Sequence, residues 1–122
     1  MRITLVLLSF IFLSAAVNTP ANKLENTRWE GTMKIPSETY TVIEFKKDSS
    51  FIWVDNMVIE AMSYTVSGDT LTLAKLYGSS PCAYEKGIYQ FTINNNLLKI
   101  IAVNDPCHDR VAAWNAEGYK KE

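Results

Sequence analysis

The amino-acid sequence predicts an all-β fold, a single eight-stranded antiparallel up-and-down barrel. Three observations lead there. Beyond residue 24, β-branched and aromatic residues recur with a period of two. Gly, Pro, Asn, Asp and Ser clusters interrupt these runs at short intervals. No stretch of this part sustains a capped apolar i, i+3, i+4, i+7 pattern; residues 111–117 suffice for a short helical turn at most. Composition agrees with a globular domain: 122 residues, 48% hydrophobic and 20% charged.

In chain order, the first element is a leader. Met1-Arg2 is followed by eleven residues, 3–13, broken only by Thr4 and Ser9, and then by Ser14, Ala15 and Ala16. Basic start, short apolar core and small residues are the order of a secretory signal peptide, read over residues 1–16. As a helix the apolar run spans roughly 16 Å, about half a bilayer core, which argues against a membrane anchor. Residues 17–23 are polar and contain Pro20, and read as a flexible lead-in to a barrel domain over 24–122. Without the leader's Arg2, 11 basic side chains face 13 acidic ones, a net charge of −2.

The first strand is expected over residues 28–34 and the second over 39–46, where Thr41, Ile43 and Phe45 alternate with Tyr40, Val42 and Glu44. Residues 46–50 read as a turn, 51–55 as the third strand and Asp55-Asn56 as the next turn. The fourth strand covers 57–66 and Ser67-Gly68-Asp69 closes a tight turn. The fifth covers 70–76, a loop with Cys82 covers 77–85, and the sixth covers 87–93. Asn94-Asn95-Asn96 turns into the seventh strand, 97–103. A loop over 104–109 carries Pro106 and Cys107, and residues 110–114 with 118–120 supply the eighth strand. A meander of this length exposes two edges unless it closes, and closure into a barrel removes them. The rival is a two-sheet β-sandwich, but Greek-key sandwiches need a long crossing connection that these short links do not offer.

An exported chain with two cysteines, Cys82 and Cys107, most simply forms one disulfide. A metal site built from Cys82, Cys107 and His108 is the competing use, but no fourth ligand is evident. No metal or cofactor is therefore expected.

Residues 24–31, Leu-Glu-Asn-Thr-Arg-Trp-Glu-Gly, resemble the opening of bacterial secreted lipocalin-like (calycin-type) domains. So does a second stretch: Cys82, then Gly87-Ile88-Tyr89, Leu97-Leu98, and Asp105-Pro106-Cys107-His108-Asp109-Arg110. Asn26 stands where those domains usually have Gly. The resemblance implies that Trp29 packs against Arg110 to close one end of the barrel. A guanidinium over an indole face gains roughly 0.5–2 kcal/mol, so the pairing is also physically sound.

Twelve basic against 13 acidic residues leave no basic stripe for nucleic acid. The glycines, at 31, 68, 78, 87 and 118, lack phosphate-loop spacing. The lone His108 lies beside Cys107, which an oxidised sulfur disqualifies as a nucleophile, so no catalytic residue is assigned. Glu44 and Glu60 sit within strands; an inward-facing one would be a desolvated carboxylate able to contact a ligand. Tyr40, Phe51, Trp53, Met57, Met62, Tyr64 and Tyr89 are the candidates for a ligand cavity, because aromatic and Met side chains line adaptable apolar pockets. The same side chains are also able simply to fill the core. The expected protein is a secreted or periplasmic monomer with no membrane span after leader removal. By resemblance it binds a small apolar or amphipathic molecule. The alternatives are a barrel acting through its outer surface as an inhibitor or envelope partner, and an enzyme using an interior carboxylate.

Overall fold

The computed structural model describes residues 22–122. The leader read over 1–16, and residues 17–21 of the lead-in, lie outside the described residues. The elements are β1 (Thr27–Lys34), β2 (Glu38–Phe45), β3 (Ser49–Val54), β4 (Met57–Ser67), β5 (Thr70–Gly78), β6 (Gly87–Asn94), β7 (Leu97–Asn104), α1 (His108–Ala113) and β8 (Tyr119–Lys121). Every neighbouring pair is antiparallel, and β8 pairs with both β7 and β1, so the sheet is a closed eight-stranded up-and-down barrel. Closure excludes the sandwich alternative.

Turn chemistry sets the hairpins. Asp55-Asn56 and Asn95-Asn96 each place two consecutive residues in the left-handed region, at φ 49° and 63° and at φ 52° and 61°. Two positive φ values in a two-residue link are those of the I′ turn, whose twist matches the strands it joins. Asn26, at φ 58°, makes a similar bend before β1. Asn is one of the few side chains that tolerates this region, which explains how it stands where the resemblance placed Gly.

Two local expectations need correction. Ser49 and Ser50 are strand, not turn: they pair with Ser63 and Met62 of β4. Their polar type suggested a turn, but Ser50 is wholly enclosed, paired with Phe45 on one side and Met62 on the other. Residues 110–114 do not form strand. Arg110 to Ala113 belong to α1, which Cys107 enters in extended conformation and which carries Asp109 in its first turn, where a carboxylate suits the helix dipole. The eighth strand is thus only three residues long.

Alternation places Trp29, Ile43, Phe45, Leu71, Leu73, Tyr89 and Leu98 inward, each 0–1% exposed. In an up-and-down barrel successive links alternate between the two ends. The first end gathers the turn before β1 and the β2–β3, β4–β5 and β6–β7 links. Large side chains fill it: Leu24 from the entry turn, Trp29, Phe45 and Tyr64, the last two edge-to-face at 5.1 Å. Trp29 Nε1 donates to Thr27 Oγ1 at 2.7 Å, so its indole is buried without an orphan donor. The second end gathers the β1–β2 and β3–β4 links, the long 79–86 loop, and α1.

The Cys82–Cys107 disulfide joins the 79–86 loop to the α1 entry, across a sequence separation of 25. Replacing both cysteines by Ala should lower stability by about 3.5 kcal/mol from loop-closure entropy alone. Denaturant unfolding of the double variant measures this, and an unchanged midpoint would contradict it. At the seam, an added Cβ on Gly31 would lie 2.7 Å from the Tyr119 ring. Gly31→Ala should cost roughly 1–3 kcal/mol and speed amide exchange in β8; unaltered exchange would mean that the ring yields freely.

Candidate functional site

A cavity of about 480 Å³ opens at the second end of the barrel. That volume lies within the roughly 300–1,000 Å³ of small-molecule sites. Its apolar wall is Met33, Ile35, Ile52, Ile59, Met62 and Trp114. Strand alternation supplies Met33, Ile52 and Met62 from inside the barrel, and α1 leads to Trp114. The 79–82 segment and Pro36 form the rim.

Two polar side chains are built into this wall. Glu60 of β4 is 7% exposed. Its Oε2 accepts the Ser80 N–H at 2.9 Å, while Oε1 lies 3.7 Å from the Lys75 ammonium and has no hydrogen-bond partner. Lys75 is held in turn by the Ser80 carbonyl and hydroxyl. Gly78 makes this arrangement possible. It sits opposite Glu60 at φ 145°, and a Cβ there would come within 2.7 Å of the Glu60 carboxyl carbon.

Arg110 of α1 is the second, also 7% exposed. Its Nε and Nη2 grip the fully enclosed Asp105 carboxylate at 2.6 and 2.8 Å, and Nη2 also donates to the Glu85 carbonyl at 3.0 Å. Nη1 has no partner. Asp105 further accepts from the Tyr89 hydroxyl and from the Cys107 N–H at 2.9 Å. Gly87 leaves the space: an added Cβ would stand 2.3 Å from Asp105 Oδ2. Trp114 is wedged edge-to-face between Tyr89, at 5.8 Å, and Tyr119, at 6.1 Å, and its Nε1 is also buried without a hydrogen bond. Five buried side-chain polar atoms lack a partner among the described residues; Glu60 Oε1, Arg110 Nη1 and Trp114 Nε1 all belong to residues lining this cavity.

Burial and the Asp105 carboxylate push the Tyr89 phenol far above its ordinary range. Burial alone would raise Asp105, but hydrogen bonds from Arg110, Tyr89 and the Cys107 backbone outweigh it and hold the carboxyl below the usual aspartate range. Burial also pushes the Tyr119 phenol up to about 12.

Of the residues predicted for a cavity, Met62 lines this one. Tyr64 points inward at the opposite, filled end, donating to the Lys46 carbonyl and accepting from Asn22 at 3.2 Å. Tyr89 is interior and holds Asp105. Phe51 and Trp53 face outward, because inward Ser50 and Ile52 take the alternate positions of β3. Arg28 stacks 5.8 Å from the Trp53 ring. Tyr40 is 59% exposed and donates to Glu30 at 2.8 Å, and Met57 is 68% exposed. Glu44 also faces outward, paired with Arg28 at 2.8 Å, which leaves Glu60 as the interior carboxylate of the two. Arg110 spends three donors on Asp105 and Glu85, and the single cation–π contact among the described residues is that of Arg28 on Trp53. The cysteines form the disulfide, so neither is a free thiol. No described helix is long and apolar enough to cross a membrane. Ile35, Ile59 and Trp114 carried no signal in the strand rhythm, since a hairpin link, a bulge-flanked strand and a helix end bring them in.

Comparison of the chain with protein-family models, curated proteins and solved structures finds no match.

Asp105 ties stability to pH. Its folded pKa is lowered, so its contribution is present above the ordinary aspartate value of about 3.9 and is lost as pH falls through the folded value. Asp105→Asn should cost roughly 3–5 kcal/mol at neutral pH, because it leaves Arg110 buried and unpaired. It should also flatten the acid limb of a denaturant stability profile measured against pH. Parallel acid limbs for both proteins would contradict this.

Proposed function

We propose that this chain is an exported, calycin-like barrel that binds a small amphipathic molecule, without covalent chemistry, in the cavity beneath α1. One observation carries the reading. A cavity of ligand size at the second end of the barrel has an apolar wall of Met33, Ile35, Ile52, Ile59, Met62 and Trp114, with the charged side chains Lys34, Glu60, Asp109 and Arg110 among its lining. An apolar hollow with a few polar groups at its border is the usual form of a small-molecule site. The leader pattern of residues 1–16 and the disulfide support export to an oxidising compartment, the periplasm or outside the cell. The likeness of residues 24–31 and 82–110 to calycin-type domains supports the same role.

The enzyme reading loses ground to the pairing of Glu60 with Lys75 and Ser80, which employs that carboxylate structurally. The outer-surface reading draws on Ile101 and Val103, two β7 residues 62% and 59% exposed.

Titration with an environment-sensitive apolar dye tests the proposal. The dye should bind one site, and Ala112→Trp, which adds bulk at the cavity mouth, should weaken binding at least tenfold with little change in melting temperature. Dye uptake that ignores this substitution, or no uptake at all, would move the function to the outer surface.

A further inference from the structure

The wall of the barrel divides by charge. The acidic residues within strands, Glu30, Glu38, Glu44 and Glu60, all lie on β1, β2 and β4. Strands β5 to β8 contain Lys75, Lys99, Lys120 and Lys121 and no acid. Lys75 is engaged by Glu60 and Ser80. The other three meet at the first end of the barrel, away from the cavity beneath α1. There an open depression of about 690 Å³ is lined by Lys99, Lys120 and Lys121, by Thr92 and Leu97, and by the Asn94-Asn95-Asn96 turn. No carboxylate is among its lining.

Strand register brings these cations together. Leu97 pairs with Lys120 and Leu98 with Tyr119 across β7 and β8, so Lys99 stands diagonal to Lys120. Diagonal neighbours on a sheet are within reach of long side chains. The Lys99 stem lies against Gly118: an added Cβ there would come within 3.0 Å of Lys99 Cγ and 3.3 Å of Leu97 Cδ1. Lys121 follows at the end of β8, where its N–H donates to the Asn96 carbonyl at 2.9 Å and ties the strand to the turn.

The nearby acids are committed elsewhere. Glu30 is opposite Lys120 on β1, and its carboxylate accepts from Tyr40 at 2.8 Å. Glu122 lies 3.4 Å from Arg28. The other acids of this end, Glu25, Asp48 and Asp69, line no part of the depression. Among the described residues, none of the ion pairs includes Lys99, Lys120 or Lys121. Three ammonium groups gathered without a counter-charge repel one another, and an anion held between them replaces that repulsion by attraction. An ammonium is a point charge that suits phosphate oxygens, and the asparagine amides and the Thr92 hydroxyl add neutral donors. A single carboxylate offers one charge and two oxygens, too few for three cations.

We propose that this depression binds a phosphate-type anion with two or more negative charges, either free or as the phosphomonoester head of a lipid.

Amide chemical shifts of the disulfide-intact protein, followed by two-dimensional NMR at low ionic strength where exposed charges are least screened, test this. Pyrophosphate should give saturating shifts at residues 92–99 and 118–121, and should bind more tightly than inorganic phosphate and far more tightly than acetate. Lys99→Gln and Lys120→Gln should each weaken pyrophosphate roughly fivefold, the upper range of one exposed ion pair. Lys47→Gln, the same charge change on the β2–β3 link, should leave the affinity unchanged. Flotation with vesicles separates the two sources. Recovery with phosphatidylcholine vesicles containing phosphatidic acid, reversed by pyrophosphate and absent with phosphatidylcholine alone, would assign the lipid head. Pyrophosphate binding without flotation would assign the free anion. Equal affinity for acetate and pyrophosphate, shifts that do not saturate, or binding that survives both lysine substitutions undiminished would overturn the proposal.

Discussion

The enclosed carboxylate of Asp105 receives Arg110 from α1, the Tyr89 hydroxyl from β6 and the backbone of Cys107, so one side chain fixes the end of β7, the helix and the barrel wall together. The rest of the second end follows from it. With Arg110 held, α1 packs across the barrel mouth and Trp114 is pressed between Tyr89 and Tyr119. The chain leaving Trp114 then descends to lay β8 into the seam between β7 and β1. Only two residue pairs join β8 to each neighbour. The seam is short in hydrogen bonds, and the anchoring of α1 above it, with Tyr119 buried inside, supplies what the ladder lacks. A buried ion pair is often a poor stabiliser compared with apolar packing. Here it also determines where a helix and a strand must lie.

The barrel is graded along its axis. Leu24, Trp29, Phe45 and Tyr64 pack together inside one end, while Ile and Met side chains line a hollow at the other. Polar residues follow the same grading. Thr41 and Ser50 are small and wholly enclosed, while Glu60 and Arg110 are long and placed where empty space begins.

Strand number, order and hairpin positions were legible because the period of two and the Asn, Asp and Gly turns are local properties. The cysteine pairing was legible because only two candidates exist. Inward and outward faces were less so. In β3 the largest residues, Phe51 and Trp53, face outward, and only the neighbouring bulk of Phe45, Met62 and Tyr64 explains why Ser50 must face in. The six-residue α1 was too short to show a helical period, and its start depends on a disulfide to Cys82, 25 residues away, and on the ion pair of Arg110 with Asp105. The cavity was the least legible feature. Glu60 and Arg110 come from β4 and α1, and they share a wall only after the barrel has closed.

The bond between Cys82 and Cys107 ties together two of the segments that border the cavity mouth. The covalent link holds those segments together whether or not anything occupies the cavity. A molecule of the proposed kind would meet a preorganised vessel and would not bear the entropy of shaping it. The same covalent clasp makes the chamber's shape a property of the redox compartment. In a reducing milieu the polypeptide would keep its staves but lose the fixed lip.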